Sequence, residues 1–211
     1  MTQLVWRVAG DRRFEAGLDR GVLYPPTGNG VVWNGLTSVK ENSPGGDVTS
    51  YYMDGVRYLN IVGFEEFDAV LEGFSCPDEF LDLQGMPSNG KGLFFTAQPH
   101  KPFGLSYRTG LGNDLVGVDY GYKLHVVYNA ISESAGKSYE TMGDSPSPIK
   151  STWNIATVPV AITGRRPTAH LIIDSTKASL AAMTAVENIL YGTAGTNPRI
   201  PTVVELLALL V

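Results

Sequence analysis

Tyr51-Tyr52-Met53-Asp54-Gly55-Val56-Arg57-Tyr58-Leu59-Asn60-Ile61-Val62 carries the strongest local β signal in the chain. Two runs rich in aromatic and β-branched residues flank an Asp-Gly pair. Both turn residues tolerate positive φ, so the segment predicts a tight β-hairpin with strands over Val48 to Met53 and Val56 to Val62. Working outward, Pro44-Gly45-Gly46-Asp47 reads as a turn before it, and Val31-Val32-Trp33, Gly21 to Tyr24 and Leu4 to Val8 as earlier strands. After it, Glu66 to Phe74 alternates: Phe67, Ala69 and Leu71 share one face, and Glu66, Asp68 and Glu72 the other. Side chains alternate across a strand, so this one has an apolar face and a carboxylate face.

Further strands are expected at Leu93 to Ala97, Phe103 to Thr109, Tyr120 to Ile131, Trp153 to Thr163 and Ala169 to Asp174. In Tyr120 to Ile131, Tyr122, Leu124, Val126 and Tyr128 fall on one face, and Lys123, His125 and Asn129 on the other. Gly110 to Asp114 reads as a loop. Helical spacing appears only late. Asp174 or Ser175 is a candidate cap for a helix over about 175–191, with Leu180, Met183, Val186, Ile189 and Leu190 inward and Gly192 as its stop. Thr202-x-x-Glu205 is a capping box opening a short helix over about 202–210. The expectation is one mainly β domain, sandwich- or barrel-like, over 1–211, with flexible loops at about 85–92 and 132–150.

Composition agrees. The 24 Gly and 13 Pro are scattered through 211 residues, which suits many short turns, and the hydrophobic fraction of 43% provides a core. Charged residues make up 18% of the chain, below the usual share of about a quarter, so part of the surface is expected to be covered by partners. A net charge of −5 argues against tight binding of nucleic acid phosphates. One cysteine, Cys76, excludes an internal disulfide framework or a multi-cysteine zinc site. The first residues lack a secretory pattern and no apolar run is long enough to span a membrane, so a reducing, cytoplasm-like setting is expected.

Catalytic chemistry finds little foothold. Gly85-Met86-Pro87-Ser88-Asn89-Gly90-Lys91 has the spacing of a phosphate loop, but Gly92 follows where Ser or Thr would hold magnesium, and no helix follows. His100, His125 and His170 lack paired-ligand spacing, so neither a metal nor a cofactor is expected, although the three can still converge in space. No nucleophile elbow occurs, and no catalytic residue is assigned. Between Arg57 and Lys91 the chain has no basic residue but carries Glu65, Glu66, Asp68, Glu72, Asp78, Glu79 and Asp82. Three of these lie along one strand face. That is a charged strip, whereas a glycosidase pair normally comes from different elements.

Several stretches, in order, resemble the major tail tube proteins of siphophages infecting actinobacteria. They are Trp33-Asn34-Gly35-Leu36, Tyr51 to Asn60, Phe74-Ser75-Cys76-Pro77-Asp78-Glu79-Phe80, and Phe103 to Thr109 with Gly112-Asn113-Asp114. Gly121 to His125, Tyr128-Asn129-Ala130, Ile162-Thr163-Gly164, Pro167 to His170, Leu190-Tyr191-Gly192 and Pro198 to Thr202 continue the series. The resemblance implies a non-enzymatic virion protein, assembled in the host cytoplasm and resident in the tail. Its partners would be itself, in hexameric rings stacked into a tube, with tape measure, tube-initiating and tail terminator proteins. Double-stranded DNA would pass through the channel without specific binding. Glu66, Asp68 and Glu72 are then candidates to face the lumen, because carboxylates repel phosphates. The alternatives are another ring-forming tail component, a tube initiator or completion protein, or a carbohydrate-binding or hydrolytic β-sandwich with Tyr24, Trp33, Tyr51 and Tyr52 at a sugar site.

Overall fold

A computed structural model describes residues 3–133, 139, 141, 144 and 148–210. The strands are β1 (Arg13–Tyr24), β2 (Val31–Val32), β3 (Leu36–Asn42), β4 (Val48–Met53), β5 (Val56–Val62) and β6 (Asp68–Gly73). They continue as β7 (Phe103–Asn113), β8 (Gly117–Glu133), β9 (Ser151–Thr157), β10 (Val160–Ile162), β11 (Arg165–Thr168) and β12 (His170–Asp174). The helices are α1 (Asp78–Leu83), α2 (Leu180–Tyr191) and α3 (Val203–Leu210). The protein is mainly β. Its main sheet is antiparallel, in the order β2-β1-β7-β8-β9-β6-β3, with β12 also on β8. β1 and β3 lie far apart in that order yet touch, so the sheet curls back on itself.

The curled sheet has an inner and an outer apolar face. Inside, Leu23, Leu105, Tyr107 and Val127 pack with Ala69, Leu71, Trp153 and Ile155. One end is closed by α1, whose Phe80 is fully buried against Trp33, Phe103 and Trp153, at ring-centroid distances of 4.6, 5.5 and 5.4 Å. Outside, Leu124, Val126 and Tyr128 are covered by Met183, Val186 and Leu190 of α2 and by Val203 and Leu206 of α3. Two phenols tie the sheet to this helical layer. The Tyr24 hydroxyl donates to the Leu190 carbonyl at 2.9 Å, and that of Tyr128 to the Pro201 carbonyl at 2.9 Å. Buried polar tips of this kind need a partner, and each has one.

A single left-handed residue splits β8 between two neighbours. Residues 123–127 pair with β12, while 130–133 pair with β9. Between them Asn129 has φ 49°, which Asn tolerates better than most residues, and a bulge against β7 lies at this point. The bulge changes the parity of the strand, so both Val127 and Ala130 enter the inner core. Strict alternation beyond Tyr128 is therefore lost.

Other expectations need correction. Leu4 to Val8 forms no strand, and Leu93 to Ala97 contributes only an isolated bridge, Ser88 to Phe94. Gly110 to Asn113 extends β7, and Trp153 to Thr163 divides into β9 and β10. The helix expected over about 175–191 begins at Leu180. Its cap is Ser179, whose hydroxyl accepts from the Ala182 amide at 3.2 Å. Asp174 instead closes a turn, accepting from the Thr176 amide at 2.9 Å. Leu180, expected inward, is 84% exposed. Residues 85–92 carry no helix or strand, and most of 134–147 lies outside the described residues.

The capping box forms as expected. Glu205 accepts from the Thr202 amide at 2.8 Å, and the Thr202 hydroxyl accepts from the Glu205 amide at 3.3 Å. Arg199 adds a two-pronged hydrogen bond to the same carboxylate. That pairing, with the Thr202 amide, holds the Glu205 carboxyl down to about 2 from an ordinary 4.5. The folded value lies below the unfolded one, so the contribution is complete above about pH 4.5 and is lost as pH falls towards 2. It is small, because the pair is exposed and screened. Thr202→Ala is expected to lower stability by about 1 kcal/mol in urea unfolding at pH 7.

Candidate functional site: an exposed ribbon, an acidic strip and a buried polar cluster

The most exposed element is the hairpin that opened the sequence. Asp54 and Gly55 have φ 51° and 78°, the double positive φ of a type I′ turn. The pairing Val48↔Val62 continues through a Gly45↔Glu65 bridge to Asn42↔Asp68 without slipping. β3–β4 and β5–β6 are thus two halves of one long antiparallel ribbon. Its base belongs to the main sheet, and its outer half pairs only with itself among the described residues. At about 3.4 Å per residue, the six residues of β4 give the outer half a length of roughly 20 Å. Gly45, at φ 89°, is required at the junction, because a Cβ there would lie 2.2 Å from the Phe64 carbonyl oxygen.

The outer half is apolar on both faces and covered on neither. Every residue of β5 is exposed. Tyr51, Leu59 and Ile61 line one face; Val48, Tyr58 and Val62 line the other. Arg57 brackets the Tyr52 ring at 5.8 Å, and the Ser50 hydroxyl donates to Asn60 Oδ1 at 2.8 Å. A lone two-stranded ribbon is marginal in water, and so large an apolar patch marks an interaction surface.

The acidic strip lies at the foot of this ribbon. In β6 the buried residues are Ala69, Leu71 and Gly73, and half-buried Asp68, Val70 and Glu72 occupy the opposite face. Glu66 precedes the strand and is exposed; its amide donates to the Pro44 carbonyl at 2.9 Å. Glu66, Asp68 and Glu72 have no ion-pair partner among the described residues, so their charge faces outward uncompensated. The phosphate-loop-like stretch is different. Gly85 follows α1, not a strand, and no helix follows Lys91, so the amides that cradle a phosphate are not assembled.

The histidines separate into one and two. Nδ1 of His100 bonds the Ser132 carbonyl, apart from the others. His125 of β8 and His170 of β12 meet, with Nδ1 and Nε2 3.1 Å apart, and Glu41 of β3 joins them, its Oε1 3.2 Å from His125 Nδ1. The Tyr107 hydroxyl donates to the same Glu41 oxygen at 2.7 Å. On the far side of His125, Nε2 lies 3.0 Å from the Thr109 hydroxyl, which donates to Glu15, itself paired with Lys123. Burial lowers His170 to about 4, so it is neutral at physiological pH. The hydrogen bond from His125, with a smaller one from Tyr107, holds Glu41 down to about 2, so it is a carboxylate. Sequence spacing had no means of showing this cluster, because three separate strands contribute its members.

No protein-family model matches the chain, and no curated protein does. Among solved structures, a chain of the sheath–tube complex of the extracellular contractile injection system PVC, in its extended state, aligns at 14% identity and a TM-score of 0.40. The alignment covers 74% of this chain and 88% of that one. A chain of the anti-feeding prophage (AFP) baseplate aligns at 10% identity and TM-score 0.40, covering 81% and 97% respectively. Likeness at this level fixes neither the fold nor the role of the chain.

Proposed function

We propose that the protein is a non-enzymatic subunit that assembles into stacked hexameric rings, forming the tail tube of a siphophage. In this reading it is a virion tail component assembled in the host cytoplasm beside tape measure, tube-initiating and terminator proteins. One observation carries the proposal: the ribbon tip, roughly 20 Å long, is apolar on both faces and exposed throughout β5. Such a ribbon gains by lying against further strands, and neighbouring copies offer the same element to both of its faces. The ordered sequence resemblance to tail tube proteins names the assembly.

The acidic strip then has a purpose. Glu66, Asp68 and Glu72 would face the lumen and keep duplex DNA from adhering to the wall, since carboxylates repel phosphates at short range. Converting all three to lysine changes the charge by six units per subunit. Tubes of normal appearance are expected from this variant, with DNA ejection slowed and the delay shrinking at high salt. Intact virions that eject at the parental rate would contradict the lumen assignment. Failure to form tubes at all would place the strip in a subunit contact instead.

A further inference from the structure

Glu41, His125 and His170, from three separate strands, bring a carboxylate oxygen and two imidazole nitrogens within 4.8 Å of one another. The Thr109 hydroxyl hydrogen is committed to Glu15, so Thr109 Oγ1 receives the Nε2–H of His125. His125 Nδ1 lies 3.1 Å from His170 Nε2 and 3.2 Å from Glu41 Oε1. The two imidazole planes are within 16° of parallel, with centroids 5.2 Å apart and the facing nitrogens 3.1 Å apart. A proton placed there satisfies one of the two contacts, to the imidazole or to the carboxylate. A cation bound by all three satisfies both.

We propose that Glu41, His125 and His170 form a binding site for a divalent transition-metal ion with zinc-like preferences. Two imidazoles and a carboxylate are its usual protein ligands, and bonds of about 2.0–2.1 Å place neighbouring donors of a tetrahedron about 3.3 Å apart. The observed 3.1 and 3.2 Å fall close to that edge, while the contact between His170 and Glu41 is longer, 4.0 Å from Nδ1 to Oε2. Convergence of both lone pairs on one ion requires the two rings to turn, which the broad χ2 torsions of imidazoles permit. The surroundings are those of a ligand set: the other nitrogen of His125 is held by Thr109 and Glu15, and Tyr107 braces the carboxylate. Access is open, because Glu41 is partly exposed and a cavity of about 630 Å³ reaches His170 beside Phe67 and Ala169. The ion would join β3, β8 and β12, one of which carries the ribbon.

The test is calorimetric titration of chelator-stripped protein with Zn²⁺, paired with the visible spectrum of the Co²⁺ form and thermal unfolding with and without Zn²⁺. One ion per chain, a Co²⁺ spectrum of nitrogen and oxygen ligation, and a Tm raised by Zn²⁺ are expected. His170→Ala and Glu41→Gln should abolish the titration. Thr109→Val leaves all three ligands in place and should weaken binding about 10–100-fold. No saturable uptake by the parental chain, or uptake undiminished in Thr109→Val and in whichever ligand variants fold, overturns the proposal. Binding is read per chain whatever the oligomeric state, so failure here would leave the tube reading standing.

Discussion

Leu59→Asp together with Ile61→Asp is expected to leave the subunit folded and to abolish its assembly. Both side chains lie on one face of the ribbon tip, and both are more than a third exposed in the isolated chain. Carboxylates there stay hydrated in the monomer, and the loss of strand preference costs at most about 1 kcal/mol per site. In an assembled ring the same face would be covered. Losing two buried aliphatic side chains removes roughly 3–6 kcal/mol per contact, before any cost of desolvating charge. At 1.4 kcal/mol per decade, association weakens by about a hundredfold to ten-thousandfold. Sedimentation velocity with far-UV circular dichroism checks both halves: a folded species confined to monomer size is expected. Oligomers of parental size in the double variant would remove the ribbon from the assembly interface.

Phe80→Ala is expected to produce the largest loss of stability among single core truncations. The ring is fully buried and touches Trp33, Phe103 and Trp153. It comes from a helix of only six residues, so α1 has little else to hold it against the sheet; Leu83 is its other buried residue. Phe-to-Ala changes in cores cost about 3–5 kcal/mol through lost transfer energy and the cavity left behind. Total stabilities of domains are about 5–15 kcal/mol, so the variant should unfold at a much lower urea concentration. A shift in midpoint worth less than about 1 kcal/mol would mean that the aromatic cluster closes over the gap, contrary to dense core packing.

What the sequence disclosed depended on how local the cause was. Asp54-Gly55 specified its turn by backbone tolerance alone, and the hairpin formed as read. The alternation of Ala69 and Leu71 against Asp68 and Glu72 survived because β6 is flanked by strands on both sides and must segregate its faces. Thr202 and Glu205 cap each other across three residues, a contact that needs nothing from the rest of the chain. The failures are non-local. The first half of β1, Arg13 to Ala16, looks like a charged loop but is a strand because β7 pairs with it. β3 is mostly polar and owes its conformation to β6. Leu93 to Ala97 has the composition of a strand but finds no strand partner among the described residues, and Leu93, Phe94 and Phe95 stay exposed. The signal for α1 is Pro77-Asp78-Glu79, a proline at the cap with two acids in the first turn, although no helix is expected there from the apolar spacing. Pairing of distant strands also explains why His125 and His170 looked unrelated in the sequence.

Tube assembly by the purified chain should be visible once it is concentrated. Negative-stain electron microscopy of the full-length protein, with particle averaging, reads this directly. Rings with sixfold symmetry, or filaments with a central bore of constant width, are the expected result. A population that stays monomeric at every concentration and salt condition, with no ring or filament in the field, would contradict it.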